Sequence, residues 1–331
     1  MGLQWDVFCR VIDNFGDIGV CWRLAADLGA RGETVRLWVD DASALAWMAP
    51  HGAPGVTVGG FDAPGLSDLG VGDVVIEAFG CDPPPAFVAR MARRATGRPV
   101  WINLEYLSAE AWVGRSHGLP SPQPDGQTKW FFFPGFTAAT GGLLREPGLL
   151  AAADSFVRPA GPRRASVFCY PNAALPALAR HFDGELWLTP GPAQSLDAPN
   201  ARRLAWTDQP GYDRLLWSCD LNFVRGEDSL VRALWAGRPF VWQIYPQHDG
   251  VHRVKLDAWL DLFLGPMLPQ ADAGFAADLR ALWHAWNGFG PWPARWPDET
   301  LWRSACARWR QVLAAQPCLV SQLQAFIDHR R

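Results

Sequence analysis

Two aspartates near the amino terminus, Asp13 and Asp17, have a spacing and a setting that could support chemistry. They lie in the segment 11–19, between an apolar run at Val7–Cys9 and an amphipathic helical pattern. The segment is predicted to be a strand-to-helix turn at the sheet edge where open α/β folds bind ligands. Glycines such as Gly16 let a ligand approach the backbone closely. Asp17 is the first candidate for a charge or a base, although an aspartate that only caps the next helix is an equal alternative.

A second segment of chemical interest begins at Arg225 and contains Glu227, Asp228 and Ser229. An apolar strand pattern ends there, and a helix is predicted to begin near Ser229. A helix N-terminus has unpaired N–H groups and a partial positive charge, so it can receive a phosphate. Arg225 would bind a diphosphate by charge-assisted hydrogen bonds, together with the Ser229 hydroxyl. The alternative is an ordinary N-cap at Asp228 or Ser229, with Glu227 complementing the helix dipole.

Two tyrosines, Tyr170 and Tyr245, end predicted strands of the second half of the chain. Each could bond a phosphate or a sugar, and each could equally close the core with its hydroxyl at the surface.

His248 and His252 are four residues apart, a spacing that could pair them on a metal ion. No third ligand is spaced near them, so no metal site is predicted.

Length and composition limit the class of protein. A chain of 331 residues favours two domains, and 49% hydrophobic with 19% charged residues is typical of a globular protein. A net charge of -3 gives no electrostatic reason to expect a nucleic-acid partner. The seven scattered cysteines lack CxxC spacing, as expected for reduced thiols. Without a signal-peptide pattern or an apolar run of about 18 residues, we expect a cytoplasmic location and no membrane partner.

The elements that must position these residues alternate along the chain. Short apolar strands and helical stripes predict βαβ units and doubly wound parallel sheets. The Gly-, Pro- and aromatic-rich segment 114–147 interrupts the alternation as a long connection, and 151–164 is predicted to be a linker. The prediction is an α/β fold with two Rossmann-like domains, 1–155 and 156–331, facing each other across a cleft. The C-terminal helices are expected to pack back toward the first domain.

Absent motifs narrow the function further. The sequence has no GxGxxG after its first strand, no GxxxxGK[ST] and no GxSxG, which disfavours a dinucleotide site, a P-loop and a nucleophile elbow. Two α/β halves with an arginine at a helix N-terminus of the second half favour a GT-B glycosyltransferase. Such enzymes hold a nucleotide-sugar diphosphate on the second domain and the acceptor against the first.

The residues also carry a family resemblance along essentially the whole chain. Its strongest blocks are residues 5–25, 101–112, 131–146 and 212–247. In these blocks the chain resembles the EarP family, the bacterial protein-arginine rhamnosyltransferases that modify translation elongation factor P (EF-P). The resemblance implies a GT-B fold and inverting transfer of L-rhamnose from dTDP-β-L-rhamnose to one EF-P arginine. It also implies that the product activates EF-P for rescue of polyproline-stalled ribosomes.

The resemblance assigns roles to individual residues. Asp17 corresponds to the general base, Asp13 to its companion at the acceptor site and Glu227 to a second essential acid. The implied donor-binding residues are Phe15, Gly16, Tyr170, Trp206, Gln209, Arg225, Asp228, Ser229 and Tyr245. Gln209 corresponds to the glutamine that recognises thymine, whereas Trp206 replaces the usual phenylalanine of the base pocket. No cofactor and no metal ion are implied, because Arg225, Tyr245 and the helix N-terminus would stabilise the leaving dTDP.

The implied chemistry agrees with the residue types. A guanidinium has a pKa above about 12 and is a poor nucleophile while charged. Carboxylates at Asp13, Asp17 and Glu227 can orient this cation, and one of them can accept its proton. The sequence leaves open whether Asp13 or Asp17 does so. It also leaves open a GT-B enzyme with another nucleotide sugar, an epimerase of the same fold, or a non-catalytic EF-P docking protein that uses segment 114–147.

Overall fold

The structure is a computed structural model, and it describes residues 2–13, 15–62, 66, 70–94, 97–246, 250–265 and 273–331. The chain divides into two compact units. Unit 1 comprises Met1–Pro147 and Gln316–Arg331, and unit 2 comprises Gly148–Ala315. Each unit is built on one sheet with mainly parallel strands. Within the described ranges, no helix is both long and apolar enough to cross a membrane.

Strands and helices alternate along most of unit 1. They are β1 (Gln4–Cys9), α1 (Gly16–Ala30), β2 (Thr34–Val39), α2 (Leu45–Met48), β3 (Val56–Gly59), β4 (Val74–Ala78), α3 (Pro85–Arg93), β5 (Val100–Leu104), α4 (Val113–Ser116), β6 (Pro120–Pro122) and β7 (Thr128–Phe132). The sheet order is β3-β2-β1-β4-β5-β7-β6, and among the strands that the structure describes only β6 and β7 pair antiparallel. The strand order reverses between β1 and β4, which makes their carboxyl ends the expected ligand site of this unit.

A buried ion pair joins the first two strands of unit 1. Asp6 is fully buried in β1, and its carboxylate accepts hydrogen bonds from Nε (2.7 Å) and Nη2 (2.6 Å) of Arg36 in β2. Trp38 Nε1 (2.8 Å) and the Gly72 N–H (2.8 Å) also donate hydrogen bonds to this carboxylate. A buried carboxylate is tolerated when its oxygens are paired in this way. The pair therefore fixes β2 against the strand that leads into the Asp13–Asp17 turn.

The segment 114–147 is more ordered than the sequence prediction of a long connection. Strands β6 and β7 form a hairpin whose turn contains Gly126 at φ +78°, and β7 pairs in parallel with β5. Phe132 is fully buried in this sheet. The prediction was wrong for residues 120–132, because Pro120 and Pro122 lie in strand β6 and Gly126 in a hairpin turn. Residues 133–147 form a connection without helix or strand, as predicted.

The last helix of the chain, α12 (Leu319–Asp328), completes the core of unit 1. Arg31, just after α1, holds this helix through Nη1 to Ser321 Oγ (3.0 Å) and Nη2 to Cys318 Sγ (3.1 Å). Its Nε also donates to Asp27 (2.7 Å). Leu323 is fully buried on the inner face of α12. The carboxyl terminus is therefore part of the unit that contains the amino terminus.

Unit 2 repeats the alternating plan with a smaller sheet. Its elements are α5 (Leu149–Ser155), β8 (Arg164–Val167), α6 (Leu175–His181), β9 (Glu185–Leu188), a 3₁₀ turn (Pro192–Ser195), β10 (Ala201–Arg203), α7 (Gln209–Ser218), β11 (Leu221–Arg225), α8 (Gly226–Ala236), β12 (Phe240–Gln243), α9 (Val251–Leu264), α10 (Ala273–Trp286) and α11 (Glu299–Ala314). The order β10-β9-β8-β11-β12 is parallel throughout, with its switch point between β8 and β11. Helix α5 occupies the start of the predicted linker 151–164.

Tryptophan and cysteine side chains lie mainly inside the two units. In unit 2 the rings of Trp259, Trp283 and Trp309 pack around Phe240 and Phe263 beneath β12. All seven cysteines are buried and unpaired, which agrees with the prediction of core thiols. The many tryptophans of the sequence are therefore explained largely by the core.

The role of α12 predicts how a core truncation affects stability. Leu323→Ala should lower the free energy of unfolding by about 2–5 kcal/mol, because it leaves a cavity under a fully buried side chain. Asp328→Ala on the same helix is exposed and should change it by less than about 0.5 kcal/mol. Denaturant unfolding of both variants measures the difference. Equal stabilities would show that α12 is not part of the core.

Candidate active site

Asp17 shapes the turn that follows β1. It lies in the first turn of α1 and is 3% exposed. Its Oδ2 accepts hydrogen bonds from the backbone N–H groups of Ile12 (2.8 Å) and Asp13 (2.9 Å). Its other oxygen, Oδ1, makes no hydrogen bond with the residues that the structure describes. One oxygen therefore holds the turn, and the second is available for chemistry.

Burial raises the pKa of the Asp17 carboxyl above its ordinary value of 3.8. The two backbone hydrogen bonds act in the opposite direction, and the negative charge of Asp40 adds to the increase. Burial is the largest of these effects because it removes water from the ionised form. A carboxylate with a raised pKa is a stronger base than one at the surface, which suits proton abstraction.

Asp13 and Gly16 are packed against each other in the same turn. The Gly16 N–H donates to the Asp13 carbonyl (2.6 Å), and a Cβ on Gly16 would lie 2.7 Å from Asp13 Oδ2. Glycine is therefore required at this position for Asp13 to keep its side-chain position. Phe15 contacts Trp47 edge-on, with ring centroids 5.3 Å apart, and so anchors the turn in the core.

Arg225 is the best-defined predicted site residue of unit 2. It ends β11 at the switch point of the sheet and is 7% exposed. Its guanidinium lies over the rings of Phe168 (4.4 Å to the centroid) and Tyr170 (4.6 Å), both just beyond β8. Nη1 also donates to the Cys169 carbonyl (3.0 Å). The aromatic faces and the carbonyl stabilise a cation in a mostly dry position.

Helix α8 begins at Gly226, three residues before the start that was predicted near Ser229. Gly226 has a φ of +66°, a conformation that lets the chain turn directly from strand to helix and that residue-type rules for N-caps do not anticipate. The Ser229 hydroxyl accepts from the Arg225 N–H (3.0 Å) and donates to the Arg225 carbonyl. Ser229 thus fixes the backbone of Arg225, and its contact with a phosphate stays a prediction. Glu227 and Asp228 are half-buried in the first helical turn.

Tyr170 and Tyr245 follow β8 and β12, the two strands that flank β11 in the sheet of unit 2. The Tyr170 N–H donates to Gln243 Oε1 at the end of β12 (2.9 Å), and the two tyrosine rings meet edge-on at 5.5 Å. Tyr170 is buried, whereas Tyr245 is 40% exposed. The edge of the sheet therefore presents an arginine with two tyrosines beside it, a combination suited to a diphosphate.

The two residues predicted for the nucleotide base follow β10. Trp206 is 47% exposed, and Gln209 is the first residue of α7 and is buried. Asp208 caps this helix, accepting a hydrogen bond from the Gly211 N–H (2.7 Å). The exposed indole of Trp206 can stack on a planar heterocycle.

Unit 2 brings eight of the predicted site residues to the carboxyl edge of its sheet. They are Tyr170, Trp206, Gln209, Arg225, Glu227, Asp228, Ser229 and Tyr245. Asp13, Phe15, Gly16 and Asp17 lie at the corresponding edge of unit 1, so the predicted donor-binding set is divided between the units. Phe168, whose ring lies under the Arg225 guanidinium, was not predicted as a site residue. Its position directly after β8 was the signal that could have identified it.

Of the histidine pair considered for a metal ion, His248 and His252, the structure describes only one member. His248 is outside the described residues, and His252 packs beside Phe289 with ring centroids 5.1 Å apart. In the described part of the chain, no three His, Cys, Asp or Glu side chains are grouped to hold a metal ion.

Sequence comparison gives the same family at full length. A family model described as "Elongation-Factor P (EF-P) rhamnosyltransferase EarP" matches residues 5–188 and 182–328. A protein-arginine rhamnosyltransferase of Pseudomonas aeruginosa is 41% identical, with 98% of both chains covered. One from Pseudomonas putida is 42% identical over 98% of this chain and 99% of its own.

Structural comparison shows the GT-B glycosyltransferase fold. A chain from a study of EarP-mediated arginine glycosylation of translation elongation factor EF-P superimposes with a TM-score of 0.63 at 30% identity, covering 99% of this chain and 100% of that one. The calicheamicin glycosyltransferase CalG4 matches with a TM-score of 0.56 at 13% identity, over 100% of this chain and 99% of its own. The second match shows the fold alone.

The environment of Asp17 predicts an unusual stability effect. Asp17→Asn should unfold with a free energy equal to or above that of the parent protein at pH 7, because the amide oxygen can still accept both N–H groups and a buried charge is removed. A raised folded-state pKa means that the parent loses stability as pH rises from 3.8 through the folded value. The gap between the two proteins should therefore widen over that range in denaturant unfolding.

Asp41 is the matched control for this measurement, because hydrogen bonds with Ser43 lower the pKa of its carboxyl. Relative to the parent protein, Asp41→Asn should therefore gain no stability as pH rises. A loss of stability in Asp17→Asn at pH 7 would contradict the conclusion that burial destabilises the ionised Asp17 carboxylate.

Proposed function

The chain belongs to the EarP family of EF-P rhamnosyltransferases, and we propose that it transfers L-rhamnose from dTDP-β-L-rhamnose to an arginine side chain of EF-P. The names of its relatives support rhamnose as the sugar and a protein arginine as the acceptor. The dTDP group and the inverting course rest on the family resemblance of the donor-site residues, Gln209 above all. In the cytoplasm, the modified EF-P would act on polyproline-stalled ribosomes.

Asp17 is the observation that carries the proposal. A protonated guanidinium must be bound, oriented and deprotonated before its nitrogen can attack a sugar. Asp17 Oδ2 is fixed by two backbone N–H groups, and its pKa is raised by burial. In the proposed reaction Oδ1 accepts the guanidinium proton, while Asp13 and Glu227 neutralise and orient the cation. General-base catalysis of this kind contributes about 10²–10⁴-fold in rate.

Unit 2 would hold the donor. Arg225 would neutralise the charge that develops on the leaving diphosphate, with Tyr170 and Tyr245 at the same sheet edge. The N–H groups at the start of α8 add a partial positive charge there. Asp228 would then bond the sugar, because a carboxylate beside a diphosphate is repulsive. Trp206 and Gln209 would receive the thymine.

In the proposed mechanism the nitrogen attacks the anomeric carbon from the face opposite the diphosphate. The C–O bond to dTDP breaks as the C–N bond forms, and the proton passes to Asp17. A single displacement inverts the configuration at that carbon. Charge stabilisation by Arg225 replaces a metal ion in this scheme, so EDTA should not reduce transfer and added Mg²⁺ should not restore it.

Intact-mass analysis of EF-P after incubation with the protein tests the function. With dTDP-β-L-rhamnose we expect EF-P to gain the mass of one deoxyhexose residue, and with dTDP-glucose or UDP-sugars no gain. Asp17→Asn should reduce the rate at least about 100-fold, and an EF-P with its acceptor arginine replaced should gain nothing.

Each failure points to a different alternative. Turnover of another nucleotide sugar would identify a GT-B enzyme with a different donor. Tight EF-P binding without any mass gain would indicate a non-catalytic docking protein. Full activity in Asp17→Asn would leave the acceptor chemistry to Asp13 or Glu227.

A further inference from the structure

Phe79, just beyond β4, has a backbone conformation that its side chain disfavours. Its φ is +58°, and among the described residues no other non-glycine residue has a positive φ. Gly80 follows with φ +69°, and the Cys81 N–H donates to the Ala78 carbonyl (3.0 Å). Positive φ at both central positions is typical of a type I′ turn, where Gly, Asn and Asp are favoured. A bulky aromatic there costs free energy, and such strain often marks a functional position.

The ring of Phe79 has a defined partner at the same edge of the sheet. It stacks on Tyr106, just beyond β5, with centroids 4.6 Å apart and an interplanar angle of 17°. The Phe79 N–H donates to the Leu104 carbonyl (2.7 Å), which holds the turn against the end of β5. Both rings are half-buried. The pair is therefore a rigid aromatic surface at the sheet edge.

The strand register places Phe79 level with Arg10, the residue that leads into the turn with Asp13 and Asp17. Phe8 in β1 is level with Glu77 in β4, so the first residues beyond each strand are level too. Adjacent strands are about 5 Å apart. Phe79 also packs on the same core as Val11 and Phe15 of that turn. The two features occupy opposite sides of the switch point between β1 and β4.

The carboxylates at this edge, which belong to Asp13, Asp17, Asp40 and Glu105, outnumber the cation Arg10 and so favour a cationic ligand. Asp13 and Asp17 lie on one side of the switch point, and Glu105 precedes Tyr106 on the other. Glu105 Oε1 accepts a hydrogen bond from Asn103 Nδ2 (2.8 Å), which fixes that carboxylate at the end of β5. A planar guanidinium fits such a site, since its edge bonds carboxylates and its face stacks on an aromatic ring.

We propose that Phe79 and Tyr106 form the aromatic wall of the subsite that receives the acceptor arginine. The wall positions the guanidinium plane so that one nitrogen faces Asp17 Oδ1. Phe79 and Tyr106 are positioning residues, since the proton transfer belongs to the carboxylates. This inference rests on the proposed function and deepens it, because it names residues that select a guanidinium.

A double-mutant cycle in EF-P binding, measured without donor, tests the inference. Tyr106→Leu should weaken binding of EF-P about 10-fold. It should weaken binding by less than about 2-fold when the acceptor arginine of EF-P is alanine, since the two groups then no longer interact. Tyr106→Phe keeps the ring and should retain normal binding. Binding of dTDP-β-L-rhamnose should be unchanged in all variants.

Phe79→Asn is the second variant, because asparagine suits the positive φ and removes the ring without adding backbone strain. It should show the same coupling to the acceptor arginine. Phe326→Leu is the control. Phe326 lies on helix α12 and its ring meets that of Trp130 edge-on, with centroids 6.0 Å apart. Its replacement should show no coupling to the acceptor arginine of EF-P.

The outcomes separate this inference from the proposed function. Transfer of rhamnose to EF-P by the parent protein tests the function. If transfer occurs but Tyr106→Leu and Phe79→Asn weaken both forms of EF-P equally, or neither, the aromatic wall is excluded and the function stands. If no transfer occurs with any nucleotide sugar, the function itself fails, whereas coupling to the arginine would still locate the binding site.

Discussion

The proposed chemistry of the first unit depends on the two backbone hydrogen bonds that Asp17 Oδ2 accepts. They shape the turn after β1, and they hold a carboxylate in a nearly dry position where its pKa is raised. The same contacts that fold the turn therefore produce a strong base at the ligand edge of the sheet. Gly16 is part of this constraint, because any side chain there would displace Asp13. A substitution that changes the fold of this turn would therefore also change the pKa of the Asp17 carboxyl.

Unit 2 buries a positive charge, as unit 1 buries the carboxylate of Asp17. The Arg225 guanidinium is largely removed from water and lies over the rings of Phe168 and Tyr170, and the Arg225 backbone is fixed by Ser229. In both units the ionisable group lies at the switch point of a parallel sheet, where strand ends, helix starts and unpaired backbone groups converge. The two sites are chemically complementary, since one suits a cation to be deprotonated and the other an anion to be released.

Much of this arrangement could be predicted from the sequence, because the patterns are local. Apolar runs joined by helical stripes predict the parallel α/β fold, which structural comparison confirmed as GT-B. The turn at 11–19 and the arginine at the end of β11 follow from the same reasoning. The roles of the individual site residues stay predictions until ligand binding or activity is measured.

Other features depend on contacts that a local pattern does not contain. The start of α8 at Gly226 needs a positive φ, and the β6–β7 hairpin needs β5 as its partner. The stacking of Phe79 on Tyr106 joins two strand ends that are distant in sequence. Helix α12 returns to unit 1 through Arg31, almost 300 residues away. These contacts become visible only when the chain is folded.

The central claim is that acceptor activation belongs to Asp17 and donor binding to Arg225. Calorimetric titration of dTDP-β-L-rhamnose into Asp17→Asn and Arg225→Ala measures this division directly. We expect the Kd of Asp17→Asn to stay within about 2-fold of the parent value. The Kd of Arg225→Ala should be at least about 10-fold higher, the loss expected when a charged hydrogen-bond donor is removed. Equal loss of donor affinity in the two variants would contradict this division.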